Sequence, residues 1–167
     1  DAEIKFSIDS DELFLSKNGF DKCEILVRTN KGEDFKPLKH VASGGEVSRI
    51  MLSIKLSLQK KVNSEILVFD EVDSGVSGKT ASKIGNALSE LSNLYQVICV
   101  THLPQIASKS TNNHYKIYKT TKDDRVTSKI EQLNVKNKIN EVARLLSGEK
   151  ITLDSLNLAT NMIGDQV

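Results

Sequence analysis

The chain has 167 residues, enough for one domain with a buried core, and its 38% hydrophobic and 27% charged residues are ordinary for a globular protein. A net charge of +1 provides no global field for nucleic acid or an acidic membrane, so any such contact must come from a local patch. No apolar run approaches the roughly 20 residues needed to span a bilayer. Cys23 and Cys99 lie far apart in sequence and read as buried free thiols in a reducing compartment rather than a disulfide or metal site.

The first residue is Asp1 rather than Met and no signal peptide leads, so a fragment of a longer cytoplasmic protein is expected. Three short alternating runs come first: Ile4 to Ile8, Leu13 to Leu15, and Glu24 to Arg28. With turn signals at Asn18-Gly19 and Asn30-Lys31-Gly32, they predict an antiparallel β-meander over residues 1–36. Pro37 marks a loop into the next part. Val47, Ile50, Met51, Ile54 and Leu58 recur at helical spacing and predict an amphipathic helix over 45–61.

Ile66 to Phe69 is continuously apolar, as expected of a strand covered on both faces. A helix with Ala81, Ile84, Leu88 and Leu91 on one side follows, then a second apolar strand over 96–100. This strand-helix-strand unit predicts a right-handed parallel crossover. Ligands bind beyond the carboxyl ends of such strands, so Asp70-Glu71 and Thr101-His102 should lie side by side on one rim. The tail predicts a β-hairpin, 114–120 and 125–133, turning at Lys122-Asp123-Asp124. Two helices, 138–147 and 152–163, are separated by the helix stop Gly148.

Ser43-Gly44-Gly45-Glu46 fits a capping box in which Ser43 accepts from the backbone near Glu46. Alone, such a Ser-x-x-Glu is only a helix cap. Two glycines cost a helix stability, however, and their presence is explained if a ligand must approach the backbone at a helix start rich in free N–H groups. Asp70-Glu71 after an apolar strand is the Walker B pattern: Asp70 would hold Mg²⁺ through water, and Glu71 would polarise an attacking water. The plain alternative is a pair of solvated carboxylates. His102 is either structural or within reach of a γ-phosphate. Gly75 to Thr80 mimics a phosphate-binding loop, but the spacing requires the first glycine at position 73, which is Asp73. Lys79 therefore reads as a solvated helix residue.

The order of signature helix, acidic strand, Asp73-bearing loop and strand-end histidine resembles that of ATP-binding-cassette ATPases. The segments Pro37 to Leu52, Phe69 to Gly78 and Val100 to Ala107, together with Glu141 to Gly148, are more closely similar to the RecN family of SMC-related (structural maintenance of chromosomes) ATPases of bacterial DNA double-strand-break repair. One departure is Ala42, where many cassette ATPases have leucine. The resemblance implies a P-loop NTPase head of the SMC type, split so that an amino-terminal lobe carries Walker A and a coiled coil intervenes. This chain would be the carboxyl-terminal lobe: a meander at 1–36, a signature, Walker B, D-loop and H-loop core at 37–110, and a hairpin with two helices at 111–167.

The same resemblance implies ATP and Mg²⁺ as cofactors, a second head as homodimeric partner, DNA bound through the whole protein, and a cytoplasmic, nucleoid-associated location. Glu71 and His102 would act on nucleotide held by the missing lobe, with Asp70 holding the metal. Ser43, Gly44, Gly45 and Glu46 would reach the γ-phosphate bound by the partner head, and Asp73 would couple the two sites. An ATPase lobe of another SMC-like protein, or a docking module without catalysis, shares these features. Residues 109–138 hold eight Lys/Arg against three Asp/Glu. That excess is either a solvated hairpin or a DNA-facing patch containing Lys116, Lys119 and Lys129.

Overall fold

A computed structural model describes residues 2–10, 13, 15–28, 30–40, 43–58, 66–110, 113–122 and 124–164. Strands β1 (Glu3–Ser10) and β2 (Asp21–Arg28) pair antiparallel in full register, from Glu3↔Arg28 to Ser10↔Asp21. Leu13 and Leu15, predicted to lie in a strand, are not in one. With β1 and β2 fully paired, Leu13 and Leu15 fall in the connection, where Ser16 and Gly19 exchange backbone hydrogen bonds; Phe14 lies outside the described residues. The third strand is instead β3 (Lys36–Pro37), which meets β2 at Leu26↔Pro37. Proline is tolerated on such an edge because its missing N–H breaks no ladder.

After a 3-10 turn at Leu38–His40, helix α1 runs Gly44–Leu58; the expected extension to Lys61 lies outside the described residues. Strand β4 (Ile66–Phe69), helix α2 (Gly78–Ser92) and parallel strand β5 (Gln96–Cys99) form the expected crossover. Leu52 of α1, Phe69, Val72, and Ile84, Leu88 and Leu91 of α2 make one buried core with Tyr95 and Ile106. A four-residue helix α3 (Pro104–Ala107), begun by a proline whose fixed φ suits a first turn, follows β5. Strands β6 (Tyr115–Lys122) and β7 (Arg125–Gln132) form the hairpin, and helices α4 (Val135–Ser147) and α5 (Leu153–Gly164) close a second small core around Ala107, Val142, Ala143 and Ala159. Gly148 ends α4 with φ +77°, as its glycine predicts. Of the predicted hairpin turn, Asp123 lies outside the described residues.

The sequence reading fails on burial in two places. Strand β4 is not covered on both faces: Phe69 points into the core, but Val68 is 65% exposed and lies beside the exposed Ile66, Ile98 and Val100. Cys23 is exposed, because Ile8, which it faces, and Phe6 are themselves exposed; the same face is covered only toward Val27, which is buried beside Ile4. Cys99 is half-buried and, like Cys23, a free thiol. The hairpin carries a third open row, made by Tyr115, Ile117, Val126 and Ile130. Each of the three sheets among the described residues thus leaves apolar side chains in water.

The base of the hairpin is tied to α4 by an ion triad. Glu141, only 8% exposed, takes Lys116 Nζ at 2.6 Å and Arg144 Nη2 at 2.5 Å. Burial pushes its carboxyl up, but the hydrogen bonds from Arg144 and Lys116 outweigh this and hold it below its ordinary value. A depressed carboxyl stabilises above its unfolded value, and that stability is lost as pH falls through the lower folded value. Glu141→Gln should therefore cost about 2 kcal/mol at pH 7, discounted because both cations stay partly in water. Urea titrations should also show the variant and parent converging in stability below pH 4.

Candidate functional site

Strand β4 delivers Phe69 to the core, and the chain then turns through Asp70–Ser74. Val72 is fully buried and Asp73 is 4% exposed, so the loop is anchored by the residues that point inward. Asp70 and Glu71 are left exposed at the carboxyl end of the strand. Asp70 Oδ1 accepts the Glu71 N–H at 2.9 Å. Glu71 itself holds φ +55°, a left-handed backbone that is uncommon for a side-chain-bearing residue and costs on the order of 1 kcal/mol.

The start of α1 packs directly on this loop. Ser43 Oγ accepts the Glu46 N–H at 3.2 Å, which forms one half of the predicted capping box. A Cβ at Gly44 would lie 2.6 Å from Glu71 Oε2. One at Gly45 would lie 2.8 Å from the Glu71 carbonyl oxygen and 2.9 Å from Ser74 Cβ. Gly45 is therefore already required by the acidic loop of the same chain, whereas at Gly44 the exposed Glu71 carboxylate could move aside; the sequence reading assigned both glycines to an approaching ligand. One turn on, Ser48 Oγ donates to the Asp70 carbonyl at 2.8 Å, and Arg49 Nη1 donates to the carbonyls of Val72 at 3.3 Å and Ser74 at 2.8 Å. Sequence reasoning passed over Ser48 and Arg49. The signal was an arginine in the second turn of a helix, where the dipole disfavours a cation unless acceptors face it.

Asp73 makes the second junction. One oxygen, Oδ2, accepts from Thr101 Oγ1 at 2.6 Å and from the His102 N–H at 3.0 Å, and it lies 3.2 Å from His102 Nδ1. The two strand ends do lie side by side, as the parallel unit predicts. Burial raises the Asp73 carboxyl, but these hydrogen bonds and the nearby imidazole prevail, so it stays ionised below its usual value. Within this chain Asp73 therefore holds the Thr101-His102 strand end, a role the sequence reading did not give it. His102 is largely exposed, with Nδ1 turned toward Asp73 and Nε2 as its other ring nitrogen. Cys99 has its thiol pushed up to about 12 by burial and then by Asp73 and Asp70, which keeps it protonated. Lys79 is exposed in the first turn of α2, on a solvated helix face.

The structure does not assemble the three lysines of the sequence reading into one patch. Lys116 is committed to Glu141. The register pairs Tyr118 with Lys129 and Lys119 with Ser128, so strand alternation puts Lys119 on the hairpin face opposite Lys116 and Lys129.

No family model matches the sequence. Among curated proteins, the chain is 40% identical over 164 residues to the DNA repair protein RecN of Vibrio cholerae, and 41% identical over 138 residues to that of Bacillus subtilis. The matches cover 97% and 83% of this chain. The chain is RecN-like. It spans 29% and 24% of those relatives' lengths. Among solved structures, the Smc head domain with coiled coil and joint from Pyrococcus yayanosii aligns with TM-score 0.59 at 17% identity, over 87% of this chain and 26% of that one. An SmcHead bound to the C-winged helix domain of ScpA gives 0.53 at 20% identity, over 83% and 39%. A structure of SMC ATPases described for ATP-driven dimerization and DNA-stimulated activation gives 0.50 at 18% identity, over 88% and 84%. The RecN-like chain thus has the fold of part of an SMC head.

Removing the Asp73 carboxylate strands the Thr101 hydroxyl and the His102 N–H. Asp73→Ala should cost about 3 kcal/mol and Thr101→Val about 1 kcal/mol in denaturant titrations. Because the Asp73 carboxyl is depressed, its contribution should be full above the unfolded carboxyl value and vanish as pH falls through the folded one.

Proposed function

We propose that this chain is the carboxyl-terminal lobe of a split ATPase head in a RecN-type protein of bacterial DNA double-strand-break repair. The observation that carries the reading is the pairing of an exposed Asp70-Glu71 rim with the start of α1, in a fold whose three sheets each keep an apolar row open. The rows at Ile4, Phe6 and Ile8, at Ile66, Val68 and Ile98, and at Ile117, Val126 and Ile130 are seats for the amino-terminal lobe. The relatives are more than three times longer than this chain, which leaves ample sequence for that lobe and for the coiled coil joining the two.

The side chains fit ATP and Mg²⁺. Asp70 keeps one carboxylate oxygen free of the Glu71 N–H and exposed, a hard donor suited to a hydrated Mg²⁺. When bound, the metal would draw charge from the β- and γ-phosphates. Glu71 would accept the proton of the attacking water at its carboxylate. Ser43 and the N–H groups at the start of α1 would receive a γ-phosphate held by a second head, whereas His102, at the end of β5, would act with Glu71 on nucleotide held by the missing lobe of its own head. Neither lobe would then grip nucleotide strongly alone, and ATP would act as a reversible cross-link between two heads. DNA contact, and a place on the nucleoid, belong to this reading for the whole protein. Among the described residues no helix is long and apolar enough to cross a membrane.

The test is to co-express this chain with the matching amino-terminal lobe and to assay ATP turnover with and without DNA. The chain alone should leave ATP intact, and the pair should hydrolyse it. In the complete protein, Glu71→Gln should retain ATP binding, lower kcat at least ~100-fold through loss of the general base, and accumulate dimeric heads in sizing chromatography. Normal turnover by that variant would instead favour a docking module without catalysis.

A further inference from the structure

The loop that carries Asp70 and Glu71 has few ways to hold its shape by itself. The Ser74 N–H closes back on the Glu71 carbonyl at 2.9 Å, and Val72 plugs the core, yet Glu71 stands between them in a left-handed backbone. Two carbonyls that flank this strained residue on its carboxyl side, those of Val72 and Ser74, converge on one guanidinium nitrogen, Arg49 Nη1. A Cβ at Gly45 would come within 3.0 Å of the same nitrogen, so the space through which the arginine crosses is kept open by that glycine. Ser48 fastens the other side of Glu71 through the Asp70 carbonyl. Carbonyl oxygens are neutral acceptors, and a planar guanidinium spans two of them better than an ammonium does.

We infer that Arg49 is a positioning residue for Glu71: by holding the Val72 and Ser74 carbonyls, it fixes the backbone that aims the Glu71 carboxylate. The inference rests on the reading of Glu71 as the base of an ATPase. Arg49 touches no nucleotide in this arrangement and acts only through the loop. Its loss should therefore misdirect the carboxylate and leave the affinity for ATP in place. A misplacement of about 1 Å is enough to cost roughly 100-fold in rate.

A double-mutant cycle in the complete protein tests this, with kcat, KM for ATP and melting temperature measured for the parent, Arg49→Ala, Arg49→Lys, Glu71→Gln, and each Arg49 variant combined with Glu71→Gln. Arg49→Ala should lower kcat on the order of 100-fold, with KM within about twofold of the parent, and Arg49→Lys should recover part of the loss. In the Glu71→Gln background, either Arg49 variant should cost less than about threefold, because the group being aimed is already gone. If the Arg49 variants slow the Glu71→Gln protein as much as they slow the parent, or raise KM while sparing kcat, the positioning role is wrong. Should Arg49→Ala not fold, the Arg49→Lys arm decides by the same criterion. Full turnover by Glu71→Gln itself would point to a different failure, that of the ATPase reading.

Discussion

The arrangement turns on how a five-residue loop, Asp70–Ser74, is held. Its inward residues, Val72 and Asp73, are buried, and its outward residues, Asp70 and Glu71, are exposed. Burial alone does not fix the direction of an exposed carboxylate. That direction comes from polar contacts on both flanks: α1 reaches over with Ser48 and Arg49 to bond backbone carbonyls, and Asp73 gathers Thr101 and His102. Each bond contributes only about 1 kcal/mol net, but together they join the start of α1, the end of β4 and the end of β5 at one rim. The hydrophobic core beneath, from Leu52 to Ile106, supplies the stability, while these bonds supply the geometry.

Much of this was legible in the sequence because periodicity reports which residues face inward. The helical spacing of Ala81, Ile84, Leu88 and Leu91 is the buried face of α2, and the two apolar runs are the parallel pair β4–β5. The adjacency of Asp70-Glu71 and Thr101-His102 follows from the crossover itself. The unread parts have physical reasons. Apolar character says that a residue prefers burial, but not whether its partner belongs to the same chain; hence Val68 and Ile117 are exposed here despite their composition. Leu13 and Leu15 alternate like a strand yet lose to the longer β1–β2 register. The side-chain-to-backbone bonds of Ser48 and Arg49 leave no periodic trace, since their acceptors carry no sequence identity.

The hairpin shows the same limit from the side of charge. A count of lysines between residues 109 and 138 suggests one basic surface. The strand period splits it, and Glu141 neutralises Lys116. Net local charge is therefore a weak guide on a two-residue repeat, where neighbours in sequence point in opposite directions.

The left-handed backbone at position 71 has a consequence for how such a chain would evolve. Glycine or asparagine would sit there with less strain than glutamate. A laboratory campaign rewarding heat resistance alone would be expected to replace the acid at that point and gain a sturdier protein. On the proposed ATPase reading, the awkward side chain stays for what it does rather than for how well it packs.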